Sequence, residues 1–95
     1  MQDVKQLPLT MSLLQDNQLI TFLRQCDTDA YAEIYHRYFQ LMFEFAYKKL
    51  RDEELAKDLV QDLFVKLWER RNSLADVSNF SSYLFVMLRN SIFNH

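Results

Sequence analysis

"DLVQDLFVKLW", Asp58 to Trp68, carries two stripes on opposite sides of one helix. With Ala56 just upstream, residues Leu59, Val60, Leu63 and Leu67 fall at i, i+3, i+4 and i+7 spacing, the period of a buried helix face. Opposite them, Asp58, Gln61, Asp62, Val65 and Glu69 share a second face at 3.6 residues per turn. That face combines carboxylates, an amide and a β-branched side chain the core does not use. An acidic helix face is ordinarily just solvated. The same composition also makes a docking ridge for a basic partner. Phe64 and Trp68 lie on the shoulder between the stripes, where they either close the core or frame a contact.

Working outward, Asp52, Glu53 and Glu54 place negative charge where the helix dipole favours it, so this helix starts there and runs to about Arg71. Before it, Asp27-Thr28-Asp29 is a break and a cap, followed by a long helix to about Leu50. Its stripe is Tyr31, Ile34, Tyr35, Tyr38, Met42, Phe45 and Ala46. His36, Gln40, Phe43 and Tyr47 lie off that stripe, and a short first helix is expected to cover Phe43 and Tyr47. That first helix is capped by Asp16 or Asn17 and runs to about Cys26, with Leu19, Ile20 and Leu23 inward. Residues 1–15 read as a loose lead-in interrupted by Pro8.

Asn72 to Asn79 reads as a polar connection, with Ser78 or Asn79 capping a last helix, "NFSSYLFVMLRN" and beyond. Leu84, Leu88 and Ile92, with Phe85 beside them, form its core stripe. Tyr83, Val86, Met87, Asn90 and Asn94 form a second face, edged by Phe93. Two readings fit it. The helix is buried on two sides, as in a dimer, or the free face pairs an aromatic able to stack on a base with amides able to bond base edges.

Composition narrows the classes. The chain has 95 residues, which suits one domain, and 49% are hydrophobic, which argues against disorder. It has no glycine, so hairpins and Gly-rich phosphate loops are disfavoured and an all-helical chain is expected. One cysteine, Cys26, excludes an internal disulfide and a multi-cysteine metal site, and fits a reducing cytoplasm. His36 and His95 have no metal-ligand spacing around them, and no catalytic constellation is visible, so neither a cofactor nor an enzyme is expected. There is no signal peptide and no apolar run near the ~20 residues of a membrane span. The net charge of −2 is unusual for a free-standing DNA binder, which is normally basic.

Taken together, "DAYAEIYHRYFQLMFEFAYKKLRDEELAKDLVQDLFVKLWERR", the polar connection and "FSSYLFVMLRNSI" resemble region 2 of the bacterial sigma-70 family, in its extracytoplasmic-function (ECF) branch. The resemblance spans about Asp27 to His95. It implies that Asp58, Gln61 and Asp62, with Val65 and Glu69, dock on the clamp coiled coil of the RNA polymerase largest subunit. It implies that the last helix meets promoter DNA through Asn79, Phe80, Ser82, Tyr83, Val86, Met87, Arg89, Asn90 and Asn94. Tyr83 falls where primary sigma factors stack an aromatic on a base of the non-template strand, and Asn90 near a position that reads an upstream base pair. Val86-Met87 stand where primary sigma factors carry a tryptophan pair, a departure that fits the ECF branch. In many ECF members the connection before the last helix forms a pocket for a flipped base. The basic segment that usually follows and a second, helix-turn-helix domain are not in this chain, so a longer factor is expected.

The expected architecture is all-α: a compact antiparallel three-helix core with an added short N-terminal helix, residues 16–95 forming the domain. The expected function is recognition and melting of the minus-ten promoter element on core RNA polymerase, in the bacterial cytoplasm, with no membrane insertion and with an anti-sigma factor as a further partner. The rival is a helical protein–protein adaptor or dimerisation module that never meets DNA.

Overall fold

The computed structural model describes residues 11–76 and 78–95. Among them the chain forms α1 (Asp16–Arg24), α2 (Thr28–Leu50), α3 (Glu53–Glu69), a 3-10 turn (Arg71–Asp76) and α4 (Phe80–Phe93), with no strand. The fold is all-α, as expected from the glycine-free, helically patterned sequence.

Side-chain caps set most of the helix starts. Asp27 Oδ1 accepts from the amides of Asp29 and Ala30, Asp52 Oδ1 from Leu55, and Asn79 Oδ1 from Ser82. Each satisfies a donor that the first turn would leave orphaned. α1 departs from expectation: its cap is Gln15, not Asp16 or Asn17. The Gln15 amide donates to Gln18 Oε1 at 2.8 Å, which leaves the Asp16 carboxylate free for tertiary contacts.

Two tight reversals take a left-handed backbone without glycine. Cys26 (φ 63°) closes α1, which ends two residues earlier than the pattern implied, and Arg51 (φ 57°) closes α2. The Arg51 amide donates to the Tyr47 carbonyl at 2.8 Å, so the strained residue still satisfies a helix-end acceptor.

The core joins Leu19, Ile20 and Leu23 of α1, Ile34 and Met42 of α2, Val60, Leu63, Phe64 and Leu67 of α3, and Phe80, Leu84 and Leu88 of α4. Ala30, Ala46 and Ala56 are also fully buried; small residues there let helix axes approach. The Tyr31 ring meets Trp68 and the Tyr35 ring packs on Phe64, one turn earlier in α3, so α2 and α3 run antiparallel. Tyr38 meets Phe80 and Phe45 meets Phe85, so α4 runs alongside α2 in the same direction.

The structure also revises four expectations. Tyr31, Tyr35, Tyr38 and Phe45 are only half-buried; the dry line of α2 is Ala30, Ile34, Met42 and Ala46. Leu59, placed on the inner stripe, stays half-buried, and Phe64, left open between core and surface, is fully buried. α3 stops at Glu69, and the connection after it is not simply polar, because Leu74 is buried and pins it to the core. The end of the lead-in is docked too: Met11 is buried, and the carbonyls of Met11, Ser12 and Leu14 accept from Arg37. Pro8 lies outside the described residues.

Phe43 and Tyr47 are not covered by α1. They continue a run of stacked rings, Tyr35–Phe39–Phe43–Tyr47, with centroids 5.0 to 6.3 Å apart. α1 meets α2 through Arg37 and Tyr38 instead, and at 100° per residue these lie across the helix from Phe43.

Candidate functional site

The side of α3 opposite its core stripe is exposed along its whole length. Asp58, Gln61, Asp62 and Glu69 all reach solvent, and Val65 is 52% exposed. A β-branched apolar side chain that wet, between carboxylates, contributes little to folding. Asp62 is paired with Lys66 at 3.1 Å, so its charge is partly balanced within the helix. Asp58 and Glu69 make no ion pair among the described residues.

Beside this ridge lies an open, mainly apolar hollow of about 330 Å³, lined by Thr28, Tyr31, Val65, Trp68 and Glu69. The Tyr31 ring meets Trp68 edge-on at 5.2 Å, and its hydroxyl donates to the Phe64 carbonyl at 2.7 Å. Burial, and secondarily Tyr35, raise the Tyr31 pKa, which keeps the hydroxyl a donor. The Arg71 guanidinium stacks on Trp68 at 4.3 Å and donates to its carbonyl at 2.6 Å, fixing the indole. Periodicity had left Phe64 and Trp68 undecided; the structure gives Phe64 to the core and Trp68 to the hollow. Thr28 and Tyr31 were not read as part of this surface, because only the antiparallel register of α2 on α3 brings them there.

On α4 the nine candidate DNA contacts separate. Phe80 is only 4% exposed: its ring lies in the core, edge-on to Tyr38 at 5.7 Å and stacked on Tyr83 at 6.4 Å. It packs beneath Tyr83 and away from the surface. The Asn79 side-chain oxygen is spent on the helix cap. Tyr83 and Met87 are half-buried and pack against the core along one edge. Ser82, Val86 (44% exposed), Arg89, Asn90 and Asn94 face outward. Ile92, expected inside, is half-buried, and Phe93 is 89% exposed.

Asn90 and Asn94 share a groove of about 400 Å³ with Met87, Ser91 and His95, and its other wall is Leu59, Asp62 and Lys66 of α3 with Arg70 just past its end. The acidic ridge and the amide face, far apart in sequence, thus adjoin across one groove, with Asp62 belonging both to the ridge and to the groove wall. Among the described residues no group of His, Cys, Asp and Glu is placed to hold a metal ion, and no helix is long and apolar enough to cross a membrane.

The family model described as Sigma-70 region 2 matches residues 34–95, from the end of the second turn of α2 to just past α4. The chain belongs to the sigma-70 region 2 family. No curated protein and no solved structure matches it. A sigma-70 region 2 domain is a transcription-initiation module that binds RNA polymerase and recognises the minus-ten promoter element, and it is not an enzyme family. Both the α3 ridge and α4 lie inside the matched span of this region 2 domain, whereas α1 precedes it.

Proposed function

We propose that this region 2 domain belongs to the ECF branch and divides its two tasks between two helices. The α3 ridge of Asp58, Gln61, Asp62, Val65 and Glu69 docks on the clamp coiled coil of the RNA polymerase largest subunit. The outer side of α4, through Ser82, Tyr83, Val86, Met87, Arg89, Asn90 and Asn94, meets the non-template strand of the minus-ten element. Asn79 contributes by capping that helix and Phe80 by supporting Tyr83. The carrying observation is that α3 and α4 each keep a face that the core does not fill, one acidic with exposed Val65, the other bearing exposed amides with the half-buried Tyr83 at its edge. The net charge of −2 fits this division: polymerase supplies affinity and α4 supplies choice.

Tyr83→Ala on core polymerase tests it. Base–aromatic stacking is worth roughly 1–3 kcal/mol, so open-complex formation falls about tenfold or more while polymerase binding persists. Asn90→Ala instead relaxes preference at one promoter position, since an amide lost from a base edge changes discrimination more than general affinity. Unchanged opening by Tyr83→Ala, per folded molecule, removes α4 from the melting step.

A further inference from the structure

Behind Tyr83 runs a continuous set of contacts across the helices. Arg37 of α2 donates to Asp16 Oδ1 at 3.1 Å and to Glu33 at 2.8 Å, and also holds the carbonyls that precede α1. Burial opposes the Arg37 charge, but the bonds to Glu33 and Asp16 outweigh it and raise its pKa. The next residue, Tyr38, donates its hydroxyl to Asp16 Oδ2. The Tyr38 ring then meets Phe80, and Phe80 lies nearly parallel to Tyr83, with 20° between their planes. Both oxygens of Asp16 are therefore committed inward, to α2 and through it to α4.

We infer that Asp16 and Tyr38 are positioning residues for promoter opening, holding the first turn of α4 and the Phe80 ring so that the half-exposed Tyr83 ring is already set to stack on an unpaired base. The inference rests on the reading of Tyr83 as the stacking residue. A side chain left to rotate loses freedom on binding, which lowers the stacked population roughly threefold to tenfold; a ring already stacked on Phe80 has lost it beforehand. The Tyr38 hydroxyl ties to α1 a ring that packs on Phe80 of α4, so its loss loosens the support under Tyr83 without touching either proposed interface. Burial first, and the Asp16 hydrogen bond second, push the Tyr38 pKa up to about 12, so the hydroxyl remains a donor at neutral pH.

The test uses the chain bound to core RNA polymerase and promoter fragments carrying 2-aminopurine at successive non-template positions. The position whose fluorescence is quenched with the wild-type chain and not with Tyr83→Ala defines the stacking signal. Tyr38→Phe, which keeps the ring against Phe80, is expected to reduce that quenching about threefold to tenfold per bound molecule, with polymerase affinity unchanged. Asp16→Ala should match it, and Asp16→Asn, which retains an acceptor for the hydroxyl, should recover most of the signal. A purely structural role would lower the amount of folded, polymerase-bound chain and leave quenching per bound molecule intact, which overturns the inference. If Tyr83→Ala itself leaves every position quenched, the stacking reading falls, and the positioning role with it.

Discussion

The Lys66 ammonium lies 3.1 Å from the Asp62 carboxylate, one turn along α3, so the one ridge carboxylate that borders the α4 groove is also the one balanced by a cation of its own helix. Replacing Asp58 and Asp62 together by Lys turns that pair into a like-charge contact. At these exposed positions the cost in stability is expected to stay below ~1 kcal/mol. Binding to core RNA polymerase should nonetheless be lost, because two attractive charges become repulsive ones. Pull-down with core polymerase and thermal unfolding of the same variant check both halves. A folded variant that binds normally would show the ridge to be only a solvated face.

Arg51 sits at φ 57° with its amide on the Tyr47 carbonyl. A left-handed backbone costs a side-chain-bearing residue roughly 1–2 kcal/mol, and glycine's extra freedom in the unfolded chain returns part of that, about 0.4–1 kcal/mol. Arg51→Gly is therefore expected to raise the melting temperature by a few degrees, given about 4–8 °C per kcal/mol in a domain this small. Arg51→Val, β-branched, should lower it. Equal melting temperatures for Gly and Val would mean that the reversal stores no strain.

These two cases show where the sequence was legible. The α3 ridge could be read directly, since five positions at helical spacing stay on one face whatever the rest of the chain does. The cap at Asp27, and Asn79 as one of two candidates with Ser78, were legible for the same reason, since each involves only its own neighbours; Asp52 was legible only as charge at the helix start. Other features depend on register between helices. Phe80 looked available on its own helix, yet Tyr38 of α2 and the core enclose it. Tyr31 and Trp68 meet only because α2 and α3 run antiparallel. Asp16 looked like a cap because local propensity says so; a tertiary ion pair with Arg37 took it, and Gln15 served instead.

Leu74 is the largest apolar residue in a connection that otherwise reads as mostly polar, and it is 1% exposed. Truncating a buried Leu to Ala costs roughly 2–5 kcal/mol, a large share of a small domain's total of about 5–15 kcal/mol. Leu74→Ala should therefore shift the urea midpoint strongly, whereas Ser73→Ala, losing one exposed bond to the Arg70 carbonyl, should shift it little. Because the connection leads straight into the Asn79 cap, the Leu74 variant is also expected to weaken minus-ten recognition at temperatures where it remains folded. A midpoint that hardly moves would mean that the connection is not anchored by this side chain.

The Tyr38 hydroxyl makes a prediction in alkali whose sign follows from its pKa, raised from 10.0 to about 12 by burial and then by Asp16. A raised pKa means that the folded state holds its proton more tightly than the unfolded state does. The contribution is thus fully present below the unfolded value and is lost as pH climbs through the folded one. Between those two values stability should fall with rising pH, by an amount moderated because the side chain is only half-buried. Tyr38→Phe has no proton to lose there, so its stability should depend less on pH across the same window. The Tyr31 hydroxyl, also raised, contributes the same residual slope to both proteins. Urea midpoints at about pH 9 and about pH 11 for the two proteins measure the difference. Parallel losses in both would mean that Tyr38 donates to Asp16 with no net stabilisation, and that the polar hold of α2 on Asp16 comes from Arg37.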